Sequence, residues 1–170
     1  MRRALLFALL VLSSGCTLDT LRSKPLDAQA PTRTNPNVGQ PEALTYDSSL
    51  NVDLSMMVRT PSGLYWQDLV PGTGAEAVKG AVVSADYTGW LADGSVFDTS
   101  KRVGRPYQFT LGMRRVIDGW DEGLVGMRVG GQRLLVIPPQ LAYGPRGSGG
   151  VIPGNATLIF LIDLRDVRIP

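Results

Sequence analysis

Histidine is absent and Cys16 is the only cysteine among 170 residues, so the side chains that most often carry nucleophilic, acid–base or zinc chemistry are missing. No Ser-His-Asp triad, Cys-His dyad, Cys/His zinc site or intrachain disulfide can be assembled, and no metal or cofactor is expected. What recurs instead is aromatic. Tyr87, Phe97, Tyr107, Trp120, Tyr143 and Phe160 stand at the ends of expected strands or on a short helix, with the carboxylate of Asp98 beside Phe97. Rings gathered in that way form an apolar cup with a few polar groups at its edge, which can bind an apolar group and little else.

These rings would be carried by short strands between turn signals, beginning near Thr60, the pattern of an antiparallel sheet. Expected strands are Leu64–Val70, Val82–Leu91, Phe97–Thr99, Tyr107–Leu111, Gln132–Ile137 and Thr157–Val167. Ala92-Asp93-Gly94 and Pro71-Gly72-Thr73-Gly74 are expected hairpin turns. In the last strand Leu158, Phe160, Ile162 and Leu164 share one parity and face the core, which turns Asp163 and Arg165 toward solvent. A single helix is expected from Val116 to Met127, where Ile117, Trp120, Leu124 and Met127 recur at helical spacing. Gly119, Gly123 and Gly126 would each cost such a helix about 1 kcal/mol relative to Ala, which makes sense if it lies very close against a curved sheet.

Upstream, Met1-Arg2-Arg3 precedes nine apolar residues from Ala4 to Leu12, then Ser13-Ser14-Gly15-Cys16. Nine residues are too few for a bilayer span of about 20, so residues 1–15 are expected to be a signal peptide. Small residues directly before the cysteine resemble a bacterial lipobox, in which Cys16 is acylated, although Ser13 stands where Leu is usual. Ordinary secretion is the alternative. Thr17 to Ala43 is polar and broken by Pro25, Pro31, Pro36 and Pro41, which reads as a flexible tether reaching about 28 Å as a coil. Leu50, Val52, Leu54 and Met56 alternate like a strand yet equally suit a loose appendage, so residues 16–59 are taken as tether and undefined extension, and 60–170 as one domain. The 17 basic and 15 acidic residues become 15 and 15 once Arg2 and Arg3 are removed, which leaves no basic face for nucleic acid.

Tyr87–Gly89 (YTG), Asp93–Asp98 (DGSVFD), Val116–Leu124 (VIDGWDEGL), Ile137–Pro139 (IPP), Leu141–Gly144 (LAYG) and Gly150–Leu158 (GVIPGNATL) occur in that order. This series resembles the FK506-binding-protein family of peptidyl-prolyl cis–trans isomerases, from about Thr60 to Val167. The resemblance implies an α+β fold, a curved antiparallel sheet of five or six strands wrapped around one short helix. It implies a substrate proline ring resting on Trp120, walled by Tyr87, Phe97, Tyr107, Val116, Ile117, Tyr143, Ile152 and Phe160. It assigns polar roles to Asp98, to the Ile117 backbone N–H and to the Tyr143 hydroxyl. Three of these residues have blander readings: Trp120 as core, Asp98 as a strand-end turn former, and Tyr143 as packing. Gly144–Gly150 looks superficially like a phosphate loop but lacks Gly-Lys-Ser/Thr and the strand-then-helix setting.

Val103, Tyr107, Arg115 and Gly154 depart from common family residues, and Arg115 and Val103 bear on macrolide binding and on the residues flanking the substrate proline. The resemblance implies a monomer acting on proline-containing unfolded polypeptides, with macrolides as candidate inhibitors. The expected signal peptide and Cys16 imply exported clients and a place in the bacterial cell envelope, lipid-anchored and facing periplasm or exterior. A non-catalytic proline-binding adaptor or holdase is the rival.

Overall fold

The structure is a computed structural model that describes residues 35–169. The expected signal peptide, Cys16 and the first part of the expected tether lie outside the described residues.

Seven antiparallel strands form one open sheet: β1 Val58–Arg59, β2 Tyr65–Val70, β3 Val82–Trp90, β4 Val96–Thr99, β5 Tyr107–Thr110, β6 Gln132–Ile137 and β7 Leu158–Arg168. Their order is β1-β2-β6-β7-β3-β4, with β5 also on β3. The six expected strands are all present, and the two-residue β1 adds a seventh. β3 and β7 are the longest pair, running from Val82↔Arg168 to Trp90↔Ile159 with one register shift between Ser84 and Ala85, and form the spine of the sheet. Ala92-Asp93-Gly94 does close the β3–β4 hairpin, with the Leu91 N–H donating to Ser95 O at 2.9 Å. Pro71–Gly74 does not close one, because β2 pairs with β1 and β6 and the chain must cross to reach β3. A turn signal specifies a change of direction, and tertiary pairing decides which strand lies next door.

The parity expected of β7 holds on the concave face, where Leu158, Phe160, Ile162 and Leu164 are all at most 4% exposed. They pack against Leu111, Leu124, Leu135 and Ile137 in the main core. The helix α1 is shorter than expected, Asp118–Gly123. Leu124 and Met127 keep the buried positions that their spacing implied, yet they do so from a turn. Gly126 adopts φ +79°, and its N–H donates to Ala77 O while Ala77 N–H donates to Met127 O, so tertiary pairing replaces the last helical turn. The close approach expected of α1 is present: a Cβ on Gly119 would collide with Ile137 Cγ2, and one on Gly123 would stand 2.9 Å from Leu135 Cδ1.

The stretch expected as the end of a tether is instead built into the fold. Asn37 is buried and clamps the β3–β4 turn, its Nδ2 donating to Asp93 Oδ2 and its Oδ1 accepting from Asp93 N–H, both at 2.8 Å. Val38 bridges Ala156, and Thr157 Oγ1 donates to Gly39 O. Three single-turn 3-10 segments follow, at Pro41–Ala43, Ser48–Leu50 and Leu54–Met56. They lay Leu44, Tyr46, Leu50, Val52 and Leu54 on the convex face of the sheet, over Tyr65, Leu134, Val136 and Ile159. Composition missed this because polarity and prolines were averaged over the whole stretch, while a few apolar anchors suffice to hold a segment to an exposed sheet face.

Candidate functional site

On the concave side the rings converge on Trp120. Its indole meets the Tyr87 ring at 5.0 Å, Phe160 at 5.2 Å, Phe109 at 5.6 Å and Tyr107 at 6.4 Å, mostly edge to face. Phe97 meets Phe160 edge-on at 5.4 Å. Such geometry aligns positive ring edges with negative faces, contributing about 0.5–1.5 kcal/mol per pair beyond the area buried. The pairs therefore fix the rings as a preorganised wall.

Gly89 explains how the wall closes: a Cβ there would lie 2.6 Å from Phe97 Cζ and 2.7 Å from Phe160 Cε1. Only glycine lets both rings lie across β3. The helix places Trp120 on its inward side, and both its ends are anchored. Asp121 accepts from the N–H groups of Gly112 and Arg114 at 2.8 Å each, tying the preceding loop to the helix. At the other end Arg133, 3% exposed, donates to Gly123 O at 2.8 Å, while Asp68 holds it at 2.6 and 3.0 Å and Trp66 stacks at 4.2 Å.

Between these parts lies a hollow of about 250 Å³, lined by Tyr87, Phe97, Asp98, Tyr107, Arg115, Val116, Ile117, Trp120, Tyr143 and Phe160. The structure thus brings together nine of the ten expected substrate-contacting positions. Ile152 is the exception, because it is 8% exposed in the core and its N–H and C=O pair with Ser148, so it braces the adjoining loop and does not line the hollow. Trp120 is itself only 4% exposed, yet its face forms the floor, so the core and floor readings of this residue are both true. Its Nε1 is buried without a hydrogen-bond partner among the described residues.

Asp98 likewise makes a turn contact and a contact inside the hollow at once. Oδ1 accepts from the Thr99 N–H at 2.8 Å, as a strand-end aspartate does, while Oδ2 accepts from the Tyr87 hydroxyl at 2.6 Å inside the hollow. Burial, and then this bond to a carboxylate, push the Tyr87 phenol far above its ordinary value of 10.0, so it keeps its proton and stays a hydrogen-bond donor to Asp98. Burial foremost, with the Asp98 charge second, also raises Tyr143. Among the described residues neither the Tyr143 hydroxyl nor the Ile117 N–H has a partner, which leaves two donors available at the wall. Sequence reasoning missed Phe109, which backs Trp120 from β5, although it shares the parity of Tyr107 two residues earlier.

Nothing in this arrangement supplies a nucleophile or a proton shuttle. It supplies a dry apolar floor, rigid walls and a few hydrogen-bond donors, a volume below the roughly 300–1,000 Å³ of drug-sized ligand sites and suited to one small ring.

The family profile described as FKBP-type peptidyl-prolyl cis-trans isomerase matches residues 74–165. The chain is 51% identical over 105 residues to an FK506-binding protein of Neisseria meningitidis serogroup B, covering 62% of this chain and 96% of that one. The crystal structure of AtFKBP13 superposes with a TM-score of 0.62 at 42% identity, covering 66% of this chain and 98% of that one. FkpA from Escherichia coli gives a TM-score of 0.62 at 41% identity, covering 67% of this chain but only 52% of FkpA. With hollow, sheet and motifs in agreement, the chain belongs to the FKBP-type peptidyl-prolyl cis-trans isomerase family.

Proposed function

We propose that the hollow of this chain is the isomerase site and that it works on exported polypeptides in a bacterial cell envelope. The observation that carries the site is the aromatic floor and walls around Trp120, with Asp98 and Tyr87 locked together at the edge. Rotation about an X–Pro bond faces a barrier of about 18–20 kcal/mol, because resonance favours the planar amide, and exchange takes tens to hundreds of seconds unaided. Shortening it to about a millisecond requires roughly 10⁵-fold, or about 7 kcal/mol.

The planar amide is the more dipolar form. Seating the proline ring on Trp120 strips water from the amide, which disfavours that form relative to the twisted one. Walls fixed by edge-to-face contacts add binding that is stronger for the twisted geometry. The Ile117 N–H and the Tyr143 hydroxyl are the donors placed to hold substrate carbonyls, and the Asp98–Tyr87 pair fixes the wall at the ring's edge. No proton transfer is required. The same apolar hollow is where an FK506-type macrolide would compete.

The test is catalysed exchange of a cis-proline tetrapeptide by the purified protein. Acceleration over the blank supports the proposal, whereas binding without acceleration points to the adaptor or holdase reading. For location, the support is Arg2, Arg3, the apolar run Ala4–Leu12 and the small residues before Cys16. Mass spectrometry of the mature N-terminus tests it: an acylated Cys16 is expected, and an unmodified one would reject anchoring. A monomer is the expected state, which size-exclusion with light scattering checks.

A further inference from the structure

We propose that the isomerase selects proline sites with an acidic neighbour, and that Arg115 is the residue that imposes this preference. The inference rests on the hollow being the isomerase site and goes beyond it by naming the substrate class. Arg115 is the cation among the residues lining the hollow, and it follows the loop that Asp121 pins. It is exposed, and among the described residues no carboxylate lies within 4.0 Å of its guanidinium, in contrast to Arg59, Arg128, Arg133, Arg165 and Arg168, each of which has one.

The neighbouring cleft repeats the pattern. A space of about 500 Å³ shares Tyr87 and Tyr107 with the hollow and is lined by Arg105, also without a carboxylate in reach among the described residues. Lys101 and Arg105 line a further cleft together with Arg165, Asp86 and Asp163, in which Asp86 is engaged by Arg165 and Ser100 and Asp163 accepts from Gln132. Asp98 is the acid among the residues lining the hollow, and because its donors, the Tyr87 hydroxyl and the Thr99 N–H, are neutral, its charge persists at the Phe97 edge. A polypeptide whose proline sits on Trp120 has its flanking residues beside Arg115 at the hollow and, where it continues into the adjoining cleft, Arg105. An aspartate or glutamate next to the proline gains a partner there, and a lysine meets like charge. The near balance of charge over the whole chain conceals this local bias.

Exposed ion pairs are worth up to about fivefold in affinity, so attraction for an acid and repulsion for a base combine to a preference of about three- to tenfold. The experiment measures kcat/KM on tetrapeptides with Glu, Ala or Lys on either side of proline, for wild type, Arg115→Ala, Arg115→Glu and Arg105→Glu. Ratios between peptides cancel any general loss of activity in a variant. Expected is a Glu-over-Lys ratio of about three to ten in wild type on at least one side, collapsing in Arg115→Ala, inverting in Arg115→Glu and falling in Arg105→Glu. At 1 M salt, where the Debye length is about 3 Å, the wild-type ratio should approach one. Equal turnover of the Glu and Lys peptides by wild type, or a ratio that Arg115→Glu leaves in place, would overturn the inference while leaving the isomerase site standing. No turnover of any peptide would overturn both.

Discussion

The two faces of one sheet have opposite designs. On the concave face Leu158, Phe160, Ile162 and Leu164 build a core that stops short of complete filling, leaving an aromatic hollow whose wall, among the described residues, holds a partnerless Trp120 Nε1 and unpaired donors. On the convex face Ile159, Leu134, Val136 and Tyr65 are covered by residues of the Pro41–Met57 stretch, whose polar side chains hydrogen-bond locally or to the sheet. Packing alone would favour covering both faces. A gap of similar size, about 230 Å³, persists on the convex side between Leu50, Trp90, Leu134 and Ile159, so incomplete packing alone does not make a binding site: the concave hollow adds a rigid wall of rings with hydrogen-bond donors at its edge.

The largest effects should separate the faces. Trp120→Ala removes the shared contact of four rings and is expected to cost about 3–5 kcal/mol in urea unfolding, together with loss of turnover. Met57→Ala on the covered face should cost about 2 kcal/mol in the same unfolding experiment while leaving kcat/KM of the folded protein unchanged. A fall in kcat/KM for Met57→Ala that matches its loss of stability would break the division.

A smaller change sharpens it in the other direction. Asp98→Asn keeps the shape of the wall but removes the charge that the Tyr87 hydroxyl meets, and it is expected to lower kcat/KM about tenfold, equivalent to about 1.4 kcal/mol. Its unfolding free energy should move by less than about 1 kcal/mol. Wild-type turnover in this variant would assign Asp98 to the turn alone.

The smallest effect is a pH response concentrated in the covering stretch and its anchor at the β3–β4 turn; elsewhere Asp166 near the end of β7 is also held low, by Arg168. Asp47 and Asp53 are held below the ordinary aspartate value of 3.8 by hydrogen bonds from Ser49 and Ser55, Asp93 by bonds led by Asn37, and Glu42 below 4.5 by the Tyr65 hydroxyl. Because their folded values are depressed, the unfolded chain takes up protons first as pH falls. Their contribution is complete above those ordinary values and drains away below about pH 4. Hydrogen exchange at descending pH should therefore show the Pro41–Met57 stretch opening before the strands around Trp120, and uniform opening would contradict that order.

How much of this was legible follows from what each residue depends on. The hollow was readable because its residues sit in motifs whose spacing fixes their place, as with Gly89 ahead of Phe97 and Gly119 beside Trp120. Ile152 was misplaced because its motif marks the loop but not which side of the loop faces the hollow. The helix was drawn too long because Leu124 and Met127 keep helical spacing while Ala77 claims the backbone bonds of Gly126 and Met127. The covered face was unread for a different reason. Alternation at Leu50, Val52, Leu54 and Met56 suggested a strand, yet Met56 is 68% exposed and Met57 is buried, since 3-10 turns interrupt the period. The signal was present in the repeated Asp-x-Ser at 47–49, 53–55 and 93–95, where each aspartate accepts from both the N–H and the hydroxyl of its serine. Such turns mark an ordered segment, and what they lack is any statement of which surface the segment covers.

Three tryptophans report independently on where a peptide binds, because Trp120 floors the hollow, Trp90 lies against the covered face and Trp66 stacks on Arg133. Titration of a proline-containing peptide followed by indole N–H signals in NMR should shift Trp120 strongly and leave Trp90 and Trp66 in place. A Trp120 signal that stays fixed while the peptide binds, or a dominant shift at Trp90, would contradict the assignment of binding to the concave hollow.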